Sequence, residues 1–286
     1  MGLSYLVLAS DEDPVASRVA EHWGTPESTG SLVDGAPIRL LGPEVGLLRR
    51  PGRHIHDERV DLRLPAALRE AGVTLVFPSI HRSEQNVECL TVHPLGNPGP
   101  NSEVGGRPRT LTPTDPRRMT AALRLLEEPG RALGLPVTFE ATHHGPEVGL
   151  PAFFVEIGFG AAEGPSDGAV RALARAIPEI VPNSADRVAL GVGGGHYAPH
   201  FTQLALRRGW AFGHLLSRHA LEELDADTAR AAWTATPGAE GVLYARAEDA
   251  TLTALAGIGP RLRDGAAPRR EGPAELTTAS RPASGT

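Results

Sequence analysis

The sequence contains no lysine; its 28 cationic side chains are all arginine. That absence carries no functional weight, except that any basic patch must be built of arginine. Cysteine is nearly absent too, and the one present, Cys89, excludes an intrachain disulfide. No run approaches the roughly 20 apolar residues that a membrane-spanning helix requires. Positive charge is not in excess: the net charge of −6 argues against a surface coated for nucleic acid. It leaves room for a local basic face, because phosphate contacts depend on local potential. The opening stretch Met1–Ser10 is short and apolar, has no basic flank and runs into Asp11, Glu12 and Asp13. It reads as a strand and not as a signal peptide. Together these features predict a cytoplasmic protein with no membrane segment.

The 286 residues, 41% apolar and 22% charged, suffice for one large α/β domain or two small ones. Strands are expected at Leu3–Ala9, Ile38–Leu41, Val73–Pro78, Cys89–His93, Pro136–Ala141, Ala152–Ile157, Arg187–Val192, Trp210–His214 and Gly241–Tyr244. Helices are expected at Pro14–Trp23, Leu62–Ala71, Pro116–Leu133, Ser166–Ile177, Pro199–Arg208, Ala226–Thr234 and Asp249–Ala256. This alternation predicts one α/β domain, residues 1–263, with helices on both faces of the sheet. Runs such as Thr74-Leu75-Val76-Phe77 suit strands buried on both faces. Gly96–Thr114 is rich in Gly, Pro and Asn and reads as a long loop, of the kind that is functional or mobile. Residues 264–286 offer almost nothing to bury and are expected to form a disordered tail.

Five histidines fall where expected strands end: His81, His93, His143, His144 and His196. In open α/β sheets ligands bind beyond the carboxyl ends of the strands, so these histidines can converge. In Glu140-Ala141-Thr142-His143-His144-Gly145-Pro146, an extended backbone would turn only one of the two rings toward a site. Gly191-Val192-Gly193-Gly194-Gly195-His196-Tyr197-Ala198-Pro199 follows a strand and opens a helix. Its glycines admit close approach of a ligand, and the helix start favours an anion or an oxyanion. Ser79-Ile80-His81-Arg82-Ser83 and Leu90-Thr91-Val92-His93-Pro94-Leu95-Gly96-Asn97 form a strand end, a polar loop and a second strand. Glu156 sits inside the apolar run Phe153–Ile157, where a charge is costly unless it is paired or liganded. It is a partner of Arg or His, a metal ligand or a base. His214 closes the run Phe212-Gly213-His214.

Other features read as structural. His54-Ile55-His56 would place both rings on one face of a strand, but its arginine-rich setting suggests surface. Arg49, Arg50 and Arg53, Arg107 and Arg109, Arg117 and Arg118, and Arg207 and Arg208 read first as solvated surface and second as a nucleic-acid face. Cys89 reads as a small core residue.

The ordered set Ala141–Pro146, Phe153–Gly158, Gly191–Pro199 and Ala211–His214, with Leu90–Asn97 and Ser10–Arg18, resembles the archaeal and plant-type D-aminoacyl-tRNA deacylases over about Leu3–Leu255. The resemblance implies a single three-layer α/β/α domain with a mixed, mostly parallel sheet, similar to the phosphorylases and peptidyl-tRNA hydrolases. It implies hydrolysis of the ester between a D-amino acid and tRNA, as chiral proofreading, with bound Zn2+. Catalysis is expected at His143, His144, Glu156 and His196. Substrate contacts are expected from His81, Arg82, Ser83, Asn97, Gly193, Gly194, Gly195 and Tyr197, and metal ligation from His93, His144, His196 and His214. The partner would be D-aminoacyl-tRNA and the assembly a monomer or small homo-oligomer. The sequence departs from the family at Ile80 and His200, where a basic residue is usual, and at Pro98, where Trp is usual. The alternatives are another hydrolase or phosphorylase of the same fold acting on nucleosides or peptides, and a non-catalytic tRNA-binding protein.

Overall fold

The computed structural model describes residues 2–82, 87–102, 104–160, 164–246, 249 and 252–263. The expected tail, 264–286, lies outside the described residues. In chain order the elements are β1 (Tyr5–Ser10), α1 (Pro14–His22), β2 (Ser28–Val33), β3 (Ala36–Gly42), β4 (Val45–Arg50), α2 (Ala66–Glu70), β5 (Thr74–Arg82), β6 (Cys89–Pro94), β7 (Gly96–Asn97), β8 (Thr110–Leu111), α3 (Pro116–Leu133), β9 (Val137–Phe139), β10 (Ala152–Phe159), α4 (Asp167–Ala176), β11 (Arg187–Val192), α5 (Pro199–Arg207), β12 (Trp210–Leu216), α6 (Arg218–Glu222), α7 (Ala226–Thr234) and β13 (Ala239–Tyr244).

The expected α/β class holds, with a mixed, mostly parallel arrangement of strands. The strands divide, however, between an eight-stranded sheet, ordered β2-β3-β4-β1-β5-β10-β6-β9, and a three-stranded sheet, β12-β11-β13, beside a short β7-β8 pair. β4, β1, β5 and β10 run parallel, and β6 runs antiparallel to β10. One face of the large sheet packs through Val76, Phe153 and Val155 against α1, α3 and α4, in a core that includes Val19, Leu123 and Leu173. The other face buries Phe77 and Phe154 under Ile55, Val60, Leu64, Leu68 and Leu150. The three-stranded sheet lies against α7, with Leu190 and Val242 packed on Ala229 and Ala232.

The helix starts follow from capping chemistry. Asp13 precedes Pro14 and accepts from the N–H groups of Val15 and Ala16, both at 2.9 Å. Asp115, Ser166 and Asp225 cap α3, α4 and α7 in the same way.

Several elements differ from expectation. β2 and β4 appear where none was expected, because Ser28–Val33 and Val45–Arg50 lack a clear apolar alternation. Gly46 there makes room for Leu3 and Leu6, whose side chains would lie 2.7 Å from an added Cβ. His54–His56 is a turn of 3-10 helix and not a strand. Leu62–Ala71 narrows to α2 after a 3-10 turn, Val60–Arg63. The described part of Asp249–Ala256 forms only a 3-10 turn, Thr253–Leu255.

Candidate functional site

Strand parity builds the floor of the site. Along β10 the residues Phe154, Glu156 and Gly158 share one face. The register sets Phe154 between Phe77 and His93, Glu156 between Ser79 and Thr91, and Gly158 between His81 and Cys89. Each row therefore crosses three strands. The Phe77 and Phe154 rings stack at 5.1 Å and the Phe154 and His93 rings at 5.0 Å. Gly158 is needed because a Cβ there would lie 2.6 Å from Cys89 Sγ and 3.1 Å from the His81 ring. The site thus spreads over the sheet face, and not only beyond strand ends. His93 reaches it from mid-sheet, since β6 runs against its neighbour.

The segment after β9 supplies the second wall. Ala141 N–H donates to His196 O, Thr142 N–H to Leu215 O, and Ala198 N–H to Phe139 O, at 2.8–2.9 Å. These bonds join the two sheets and carry Glu140, His143 and His144 up to His196. His144 adopts a left-handed backbone, φ 40°, which turns its ring to the same side as that of His143. The expectation that only one of the pair faces the site fails for this reason: the two rings are 4.4 Å apart, and His143 stands 4.1 Å from His93 and 4.7 Å from His196.

Glu140 is the hub. It is fully buried, and its Oε2 lies 3.0 Å from His196 Nε2, 3.4 Å from His81 Nδ1 and 3.5 Å from His143 Nε2. Glu156 Oε2 lies 3.4 Å from His93 Nε2 and 3.8 Å from His81 Nδ1. Despite these approaches, neither carboxylate has an aligned hydrogen bond among the described residues. Burial alone would raise the Glu140 pKa, but His196, His93 and His81 together hold it down at about 2. Burial and the neighbouring Glu140 and Asp13 push Glu156 well up. Two carboxyl groups in one site thus have divergent affinities for a proton. Burial holds His93 down at about 3 and His144 at about 4, and keeps His143 well below its ordinary value.

The hydrogen bonds fix which nitrogen of each ring carries the proton. His143 Nδ1 faces Ala141 O at 2.8 Å, His144 Nδ1 faces Gly145 O at 2.7 Å, and His93 Nδ1 faces Pro94 O at 3.2 Å. A carbonyl oxygen only accepts, so each Nδ1 donates and each neutral ring keeps its lone pair on Nε2. For His143 that lone pair confronts the ionised Glu140, which is repulsive unless a cation stands between them; His93 Nε2 faces Glu156, whose raised proton affinity lets a carboxyl proton fill the same gap. An ionised carboxylate buried without compensation costs several kcal/mol. Backbone carbonyls that fix the tautomer of an imidazole are the usual support of a metal ligand. Donor atoms of His81, Glu140, His143 and His196, of His93, His143 and His144, and of His93, Glu140 and Glu156 lie within 4.8 Å of one another in each group. Such nitrogen and oxygen donors suit zinc.

These groups open into a cleft of about 980 Å³, lined on its polar side by Ser79, His81, His143, Glu156, Gly195, His196 and Tyr197. Tyr197 Oη is 3.3 Å from His81 Nε2. Asp13, besides capping α1, accepts from Ser79 Oγ at 2.9 Å and from the Ile80 N–H at 3.1 Å. His54 lies within 3.9 Å of Asp13, and its ring rests against Phe77 and Phe154. It is buried and not at the surface as its arginine-rich neighbourhood suggests; His56 is exposed.

Of the expected site residues, His81, His93, His143, His144, Glu156, His196, Gly195 and Tyr197 come together. His214 does not join them. It is fully buried, with Nε2 donating to Thr112 O and Nδ1 accepting from Thr142 Oγ1, both at 3.0 Å, so both nitrogens are committed. Asn97 is spent on structure: its Nδ2 donates to Gly105 O and Arg107 O, latching the loop before β8. Gly193 gives its N–H to Leu216 O and is therefore no oxyanion donor. It is glycine because its φ is 100° and a Cβ would lie 2.1 Å from Asp249 Oδ2. Gly194, at φ 84°, accepts from Arg218 N–H through its carbonyl. Ser83 and the side chain of Arg82 lie outside the described residues.

The fold and this centre define an α/β protein with a cleft built of imidazoles and buried carboxylates, suited to holding a cation beside a bound substrate. Comparison with known proteins narrows the class. The sequence pattern of the D-aminoacyl-tRNA deacylase family matches residues 69–253. A D-aminoacyl-tRNA deacylase of Thermoplasma acidophilum is 34% identical over 85% of this chain and 90% of its own. One from Pyrococcus horikoshii is 35% identical over 72% and 76%. A crystal structure described as a conserved protein of unknown function superposes with a TM-score of 0.77 at 27% identity, covering 90% of this chain and 91% of that one. The chain belongs to the D-aminoacyl-tRNA deacylase family and is a hydrolase. Among the described residues no helix is long and apolar enough to cross a membrane.

Proposed function

We propose that this protein hydrolyses the ester between a D-amino acid and the 3′ end of tRNA, with zinc held in the imidazole–carboxylate cluster. The observation that carries the metal is the Nε2 lone pair of His143 turned on the buried, ionised Glu140 while its Nδ1 is tied to Ala141 O, with donors of His81 and His196 around the same carboxylate. His81, Glu140, His143 and His196 would hold an ion; His93 with His143 and His144, or with Glu140 and Glu156, offers further donor sets beside it. Zinc, when bound, would supply Lewis acidity that lowers the pKa of a water and polarises the ester carbonyl.

The chain's own residues do the rest. Glu140 stays anionic and compensates positive charge in the site. Glu156, buried and drawn toward its protonated form, can hold a proton without adding a second anion. Tyr197 and Gly195 form the wall against which the ester lies. Selection of the D enantiomer comes from shape, in a cleft that fits one arrangement about the α-carbon and clashes with the other. With a charged tRNA as substrate the enzyme would act in the cytoplasm, as a monomer or small homo-oligomer.

The test is release of amino acid from D-Tyr-tRNA and L-Tyr-tRNA, with and without a chelator. Hydrolysis of the D form alone, lost on chelation and restored by zinc, is the expected result. Equal hydrolysis of both forms, or none of either, would refute the assignment; activity indifferent to chelation would refute the metal.

A further inference from the structure

The sequence singles out Arg49, Arg50 and Arg53 as a basic cluster, and the structure separates its members. Arg49 pairs with Asp11 at 2.6 Å, and Arg50 pairs with Asp34 at 2.8 Å and Asp57 at 3.1 Å. Arg107 pairs with Glu147, and Arg109 with Asp225 at 3.0 Å. Arg53 is different. It is exposed, lines the same cleft as Ile55, His144 and Glu156, and has no carboxylate at ion-pair distance among the described residues. Its backbone is held independently of its side chain, since its carbonyl accepts from His56 N–H at 3.0 Å.

The charge pattern of the cleft gives this cation a purpose. The interior buries the carboxylates of Glu140 and Asp13, so a phosphodiester is better held at the exposed rim than drawn into it. The aminoacyl end of the substrate carries an ammonium group and an ester, and no anion. Its nearest anion is the phosphodiester of the terminal nucleotide. A guanidinium matches phosphate with two parallel N–H donors. A volume of about 980 Å³ is within the usual range of ligand pockets and admits an aminoacyl-nucleoside. We propose that Arg53 anchors the phosphodiester of the 3′-terminal nucleotide and so sets how deeply the ester enters the cleft; this rests on the hydrolase reading above.

The experiment is steady-state kinetics on two esters, D-Phe-tRNA and 3′-O-(D-phenylalanyl)adenosine, which has no phosphate. The proteins are the wild type, Arg53→Ala, Arg53→Lys and, as a control for overall charge, Arg208→Ala at the far end of α5. Arg53→Ala is expected to raise KM for the tRNA ester roughly tenfold, the size of one charge-assisted contact. Its kcat should stay within about twofold, and the salt dependence of kcat/KM should become shallower by about one. Arg53→Lys should recover part of the loss, Arg208→Ala should leave both parameters near wild type, and the adenosine ester should be insensitive to all three changes. An unchanged KM and salt slope in Arg53→Ala, or an equal loss on the phosphate-free ester, would overturn the anchor while leaving the hydrolase reading intact. A wild type inactive on both esters would overturn the hydrolase reading and the anchor with it.

Discussion

Glu140 Oε2 lies 3.0 Å from His196 Nε2, although the carboxylate follows β9 in the large sheet and the imidazole follows β11 in the small one. The strand-like bonds of Ala141 and Ala198 to His196 and Phe139 hold the two sheets in this register. The imidazole–carboxylate cluster is therefore an inter-sheet seam, and the consequences can be tested by substitution.

His144 and His196 approach the cluster from different segments, so removing either should disable it without disturbing the core. Each of His144→Ala and His196→Ala should lower D-Tyr-tRNA hydrolysis by about a hundredfold or more, with a circular dichroism spectrum like that of the wild type. Near-wild-type turnover in both variants would contradict the assignment.

His214 should behave in the opposite way. His214→Ala leaves the groups of Thr112 and Thr142 unpaired and opens a cavity, at a cost of roughly 2–4 kcal/mol. Thermal unfolding should show that loss, while zinc per folded molecule should stay at the wild-type level. Unchanged stability with loss of zinc would restore His214 as a ligand.

Gly145 packs on the loop before β8: a Cβ there would lie 2.2 Å from Gly106 N and 2.4 Å from Gly105 C, both of them backbone. Its own N–H donates to Val104 O and Gly105 O. Gly145→Ala should cost about 1–3 kcal/mol, lower Tm by about 2–4 °C for each kcal/mol, and reduce activity because His144 is the adjacent residue. An unchanged Tm would show that the loop moves aside freely.

Much of this was legible in the sequence. All nine expected strands are present, because each is an apolar run bounded by turn residues. The clustering of His143 and His196 followed from their places just past strand ends, whereas His81 and His93 lie within β5 and β6 and meet them across the sheet face. Glu140 stands in the Glu140–Pro146 motif, but nothing in its local sequence marks it as a site residue. The reasoning applied to Glu156, that a carboxylate in an apolar strand needs a partner, applies to it equally, but its burial depends on the second sheet. The buried pair of Asp13 and Ser79 joins the end of the β1–α1 turn to β5, a contact that local pattern cannot reveal. His54 looked superficial because arginines flank it; its ring is covered by Phe77 and Phe154 from strands distant in sequence. His214 entered the expected ligand set through the family resemblance, but Thr112 O and Thr142 Oγ1 claim both nitrogens.

The most direct test of the central claim is the Glu140→Gln variant, which keeps the shape of the side chain and removes its charge. Zinc content and D-Tyr-tRNA hydrolysis should be measured on the same folded sample. Loss of zinc together with a fall in hydrolysis of about a hundredfold or more is expected. Full zinc content with wild-type hydrolysis would contradict the claim that Glu140 holds the centre together.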